Sequence, residues 1–177
     1  MVIAFTGYRP ENMPFQENKR DKRYLAFRAV LIQVVSRLIE LGGTYFISGV
    51  ARGFDTWVAE DIIKLRKKNK NIRLECAIPF PGQSDSWEKA DQKRRYKILT
   101  EADKSVIVSE SYSRVCFFIR NRYMVDEADV VVCAFNGKSG GTAYTVDYAI
   151  KQNKIVIQID PETNVVSMLG RRDFGAV

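Results

Sequence analysis

The chain has 177 residues, 46% of them hydrophobic and 28% charged, a composition that suits one globular domain with its own core and excludes a disordered chain. It contains no histidine, which removes Ser-His-Asp and Cys-His catalysis and histidine-held metals. Lysine and arginine total 28 against 21 acidic residues, and the net charge of +7, shared by both halves, suits an anionic ligand without marking a basic tail.

The N-terminal stretch Met1–Gly7 has no charged leader and reads as a strand, Val2–Thr6, closed by Gly7. Tyr24, Phe27, Leu31, Val34, Leu38 and Leu41 recur at three- and four-residue spacing, so Arg23–Leu41 is predicted to be an amphipathic helix that ends at Gly42-Gly43. Thr44–Ser48 is the second strand, and Thr56–Lys68 the helix after it. Ile72–Pro79 is a strand, Glu88–Glu101 a helix and Lys104–Ser109 a strand. Ser113–Ala128 is helical, Asp129–Phe135 a fifth strand, Thr142–Gln152 a helix and Ile155–Asp160 a sixth strand. The tail, Pro161–Val177, is read as a short helix or a partner-contacting arm.

Alternation of this kind predicts a single Rossmann-like α/β domain. Its sheet is doubly wound and mainly parallel, with about six strands and helices on both faces. The run Val130–Phe135 is apolar at every position, as burial on both faces requires. It is also far shorter than the roughly 20 residues that span a bilayer. The reading is therefore a cytoplasmic protein with no membrane partner. Cys76, Cys116 and Cys133 have neither zinc nor disulfide spacing and read as buried thiols, so no metal is expected.

In such sheets ligands bind beyond the carboxyl ends of the strands. After the first strand, Gly7, Tyr8 and Arg9 offer a tight turn and a guanidinium for a phosphate or carboxylate. After the second, Ser48, Gly49 and Gly53 frame a loop that opens a helix. Asp55 there is a helix cap, a ribose-hydroxyl acceptor or a catalytic carboxylate. Glu60, one turn on, is the other candidate carboxylate. Phe80 and Trp87, after the third strand, could stack on a base. Arg120 and Arg122 diverge by roughly 200° on a helix, so only one of them faces a pocket. Asn121 lies on the apolar stripe and needs partners. After the fifth strand, Gly137–Thr142 is a glycine-rich loop at a helix start. Ser139, Gly140, Gly141 and Thr142 make it a phosphate cradle. It lacks Walker A spacing, and no G-x-G-x-x-G follows the first strand. Lys64, Arg66, Lys67, Lys68, Lys70 and Arg73 form the densest basic cluster, far from these loops and without an aromatic residue.

The segment Ser48–Thr56 resembles the Ser-Gly-x-Ala-x-Gly-x-Asp loop of the DprA/Smf proteins. Arg120-Asn121-Arg122 resembles their Arg-Asn-Arg segment, and Ser139-Gly140 with Thr145 their Ser-Gly-x-x-x-Thr turn. Thr6–Pro10, Trp57 with Glu60, Arg120–Met124 and Gly140–Thr142 look closer to the YpsA/YoqJ-like branch of the SLOG superfamily. The resemblance covers about residues 2–160. It implies a pocket for a bound nucleotide or nucleotide derivative. The LOG phosphoribohydrolases of the same superfamily carry Gly-Gly-x-Gly-Thr-x-x-Glu. Here Lys138 and Ser139 replace the first two glycines, and Thr145 stands at the glutamate. The reading that results is a nucleotide-binding module without strong catalysis. The alternatives are an N-glycosidase acting on nucleoside monophosphates, through Glu60 or Asp55, and a DprA-like single-stranded DNA binder. Weak nucleic-acid binding and a homo-oligomer remain open.

Overall fold

The computed structural model describes residues 1–170. Its strands are β1 (Val2–Gly7), β2 (Tyr45–Ser48), β3 (Arg73–Ile78), β4 (Lys104–Ile107), β5 (Val130–Ala134), β6 (Ile155–Ile159) and β7 (Val166–Leu169). Its helices are α1 (Lys22–Glu40), α2 (Phe54–Arg66), α3 (Lys89–Glu101), α4 (Cys116–Glu127) and α5 (Gly141–Lys151). The strands form one sheet in the order β4-β3-β2-β1-β5-β6-β7. β1 pairs in parallel with β2 on one side and β5 on the other. Strand order therefore reverses at β1, and the two halves of the sheet part above the β1–β5 pair.

Period-two alternation sorts the sheet residues between two cores. Ile3, Phe5, Phe46, Leu74, Val130 and Val132 pack with Phe27 and Leu31 of α1 and Trp57 and Ile62 of α2. Ala4, Ile47, Ala77, Val131 and Cys133 face the other way, onto Met124 and Val125 of α4 and Val146 and Ala149 of α5. Each fully buried side chain of this size contributes about 1.5–3 kcal/mol. The small residues on the second face let α4 and α5 sit close. The three cysteines are buried, and burial pushes Cys76 and Cys133 up to about 12, leaving them inert thiols.

Six predicted strands and all five helices are present, with ends shifted by a few residues. The tail differs. Asp160 Oδ1 accepts the amides of Glu162 and Thr163 at 2.7 and 3.1 Å. This turns the chain back, and β7 pairs antiparallel with β6. Val166–Leu169 is thus an edge strand, neither a short helix nor a free arm. The rest of the predicted tail, from residue 171, lies outside the described residues. Among the described residues no helix is long and apolar enough to cross a membrane.

Candidate functional site

A cleft of about 370 Å³ opens at the carboxyl ends of β1 and β5, where the strand order reverses. One wall is Phe5, Thr6, Gly7, Tyr8 and Arg9 from the end of β1, continued by Glu11 and Asn12 of a short 3-10 turn. The floor carries Asp55 of α2. Phe117, Arg120 and Asn121 of α4 close one side, and Ser139, Gly140, Gly141 and Thr142 at the start of α5 the other.

Arg120 is 5% exposed and lines the cleft from beneath. Its Nη1 donates to the carbonyl of Gly49 and, at 3.3 Å, to that of Ala77, at the ends of β2 and β3. Its Nε donates to Asn121 Oδ1 at 2.8 Å. Asn121 Nδ2 donates to Thr145 Oγ1 at 2.8 Å, and Thr145 Oγ1 donates to the carbonyl of Gly141. One chain of hydrogen bonds therefore ties β2, α4 and α5 together under the cleft. Gly49 is fixed by this arrangement: a Cβ there would fall 2.1 Å from Arg120 Nη1. Burial pulls the Arg120 guanidinium below its ordinary value, offset mainly by the charge of Asp55.

Asp55 is 6% exposed. Burial pushes its carboxyl up to about 6, against the opposing pull of Arg120, the Ala51 amide and Arg9. It does not cap α2. Gly53, with φ of 87°, is the N-cap, and no side chain caps this end. Asp55 lies one residue inside the helix and reaches Ala51 N at 3.4 Å. Neither Asp55 Oδ1 nor Arg120 Nη2 is hydrogen-bonded to any described residue. Two buried charged groups thus keep unused capacity facing the same cleft. The α5 start is also uncapped by any side chain, its N-cap Gly140 at φ of 144°. A Cβ at Gly141 would meet nothing within 4 Å.

Ten of the residues singled out from sequence line this cleft: Gly7, Tyr8, Arg9, Asp55, Arg120, Asn121, Ser139, Gly140, Gly141 and Thr142. Ser48, Gly49 and Gly53 lie behind it. Ser48 is buried, donating to the carbonyl of Asp55 at 2.9 Å and accepting from Val50 N. Phe80 and Trp87 do not line it. Phe80 packs edge-on against Tyr112 and Phe117, and Trp87 lies beside the Arg95 guanidinium. Besides Phe5 and Tyr8, the aromatic side chain at the cleft is Phe117, three residues before Arg120 and so on the same side of α4. Arg122 points outward, over Tyr144 and Tyr148.

Glu60 is also outside the cleft. Both its oxygens accept from Arg94 of α3 at 2.7 Å, and Arg94 also reaches Glu17. Glu60→Gln is expected to destabilise the fold by about 1 kcal/mol and to leave ligand affinity unchanged. Urea denaturation and calorimetric titration of the same variant check both halves. The basic cluster is partly neutralised. Arg66 is paired with Asp103 at 2.7 Å, and Arg73 reaches the same carboxylate at 3.6 Å.

A mainly parallel sheet with helices on both faces and a polar cleft at its switch point defines a Rossmann-like α/β protein. The chain belongs to the YspA SLOG family, whose YpsA model matches residues 3–163. It is 28% identical over 157 residues to the UPF0398 protein BH1768 of Halalkalibacterium halodurans, across 86% of this chain and 82% of that protein. It is 32% identical over 146 residues to the uncharacterized SPbeta prophage-derived protein YoqJ of Bacillus subtilis, across 75% of this chain and 85% of that one. In fold it is similar to DNA processing protein A of Streptococcus pneumoniae, with a TM-score of 0.59 at 18% identity. It is similarly close to that of Helicobacter pylori, with a TM-score of 0.60 at 18% identity, a structure described for its single-stranded DNA binding mode. The match covers 90% of this chain in both cases, but 50% and 65% of those two proteins.

Proposed function

We infer that the cleft binds a small phosphate-bearing ligand of the nucleotide class and that the protein acts as a binding module. The observation that carries this reading is the pair Asp55 and Arg120. Both side chains are buried, while their unpaired atoms, Asp55 Oδ1 and Arg120 Nη2, are open to the cleft, where a ligand can bond to them. Both face a cleft whose opposite edge is an uncapped, glycine-lined helix start, which favours an anion. A phosphate on the amides of Gly141 and Thr142 would lie across from Arg120 and Arg9. Asp55, an acceptor when ionised, suits a ribose hydroxyl, and Phe117 offers an apolar face for a base. Native mass spectrometry of freshly purified protein tests the reading: a retained nucleotide-sized mass supports it, and a bare chain with no binding to any added nucleotide refutes it.

Asp55 also gives the fold a pH signature. Its folded-state value, about 6, lies above the ordinary 3.8. The folded state therefore holds this proton more tightly than the unfolded chain does. Its contribution to stability is complete below about pH 4 and is lost as pH rises through about 6. The urea midpoint of the parent is expected to fall relative to that of Asp55→Asn across this window. Parallel curves for the two proteins would show that Asp55 titrates normally.

Glycoside hydrolysis finds less support. Glu60 is committed to Arg94, and Thr145 stands where the phosphoribohydrolases carry glutamate, which leaves Asp55 as the one buried carboxylate at the cleft. Nucleic-acid binding is the second reading, on the exposed Lys67, Lys68 and Lys70 beyond α2. Contact there would be to the backbone alone, and so weak and steeply salt-dependent. Fluorescence anisotropy with single-stranded oligonucleotides is expected to show such loose binding, reduced by Lys67→Glu with Lys68→Glu. Tight binding at physiological salt would overturn the small-molecule reading.

A further inference from the structure

Among the described residues, the face of α4 turned away from the sheet is covered only at its edge, by Tyr144 and Tyr148 of α5. The inner side of α4 is Cys116, Arg120, Met124 and Val125, all buried. Its outer side presents Val115, Phe118 and Ile119, which are 53%, 39% and 43% exposed. They stand at the three- and four-residue spacing of a stripe that helices normally bury. Tyr144 of α5 packs edge-on against Phe118 at 4.6 Å and extends the apolar surface sideways.

The charges at the ends of this stripe run against the helix. Exposed Arg114 sits just before the N-terminus, and exposed Asp126 and Glu127 occupy the last turn, with no acidic residue in the first turn and no basic residue in the last. A helix dipole favours the opposite arrangement, acids first and bases last. The pattern is self-complementary. An antiparallel copy of α4 lays its acidic end along the basic end of the first, and its basic end along the acidic one.

We propose that the outer face of α4 is the contact of a two-fold homodimer. Arg114 of each copy lies against Asp126 of the other, and Phe118 and Ile119 meet near the axis. The contact is isologous, so each copy supplies both halves of the charge pairing. Phe118 and Ile119 lie beside Arg122, whose guanidinium is held over Tyr144 and Tyr148 of its own chain, and Arg114 and Asp126 form the charged rim. Phe117, Arg120 and Asn121, which line the cleft, project from other sides of the helix. The proposal is therefore independent of the ligand reading, and dimerisation leaves the cleft open.

Sedimentation equilibrium over a concentration series tests it. The parent is expected at twice the 20.3 kDa chain mass. Ile119→Glu is expected at the single-chain mass with an unchanged circular dichroism spectrum. Arg114→Glu provides a variant that does not depend on apolar packing. It is expected to weaken the dimer at least tenfold while leaving the single chain as stable or more so, because it places an acid at a helix N-terminus. Adding Asp126→Arg to Arg114→Glu is expected to recover the dimer. A parent at the single-chain mass throughout would overturn the proposal. So would a dimer that survives both Ile119→Glu and Arg114→Glu.

Discussion

Arg120→Ala is expected to destabilise the protein by about 3 kcal/mol or more, among the largest effects of any single substitution away from the apolar cores. The guanidinium is the hub of the buried polar network. Its loss removes the donor to the carbonyls of Gly49 and Ala77 and leaves Asn121 Oδ1 without Arg120 Nε. It also strips Asp55 of the nearby cation that most opposes its desolvation. Asp55 then takes up a proton, so the penalty grows with rising pH as that proton becomes harder to hold. Arg120→Lys is expected to recover only part, since an ammonium cannot reach two carbonyls and an amide in one plane. Combining Arg120→Ala with Asp55→Asn is expected to cost less than the sum of the two, because the charge left behind is gone. Urea denaturation of the four proteins measures this. Additive losses would show that Asp55 and Arg120 do not act as a unit.

Gly141→Val is expected to lower nucleotide affinity at least tenfold, about 1.4 kcal/mol, while leaving the melting temperature within a few degrees of the parent. The two halves of this prediction have separate causes. A side chain at residue 141 meets no atom of the chain within 4 Å, so the fold has no reason to yield. The space it enters belongs to the cleft, over the uncapped start of α5, where an anion would approach the backbone. An alanine at the same position, smaller by two methyl groups, is expected to have an intermediate effect. Unchanged affinity in a folded Gly141→Val would remove the α5 loop from the site.

The fold was legible because its strands obey two rules at once. Val130–Ala134 is apolar throughout, and each of the first five strands is followed by a helical repeat. β7 was not legible. Val166–Leu169 is half exposed on an edge, so it carries no continuous apolar run, and its position depends on a turn built by Asp160. Helix starts were misplaced where glycine rather than a polar side chain forms the N-cap. Gly53 begins α2 ahead of the expected Thr56, and this moves Asp55 from a cap to the cleft floor.

Much of the cleft lining could be read because switch-point ligands approach predictable strand ends. The divergence of Arg120 and Arg122 followed from helix geometry alone. Phe117 was missed although its spacing to Arg120 and Asn121 places all three toward one side of α4. Glu11 and Asn12 had no signal, since they arrive on a 3-10 turn that only the packing of Pro10 against Gly53 brings to the rim. Phe80 and Trp87 were plausible stacking residues by chain position, but aromatic neighbours and Arg95 hold them elsewhere.

Isothermal titration calorimetry of the parent against nucleoside mono- and diphosphates, with Gly141→Val in parallel, tests the central claim most directly. The account predicts saturable binding at one site per chain by the parent, weakened at least tenfold in the variant. No binding by the parent, or equal affinity in both proteins, would contradict it.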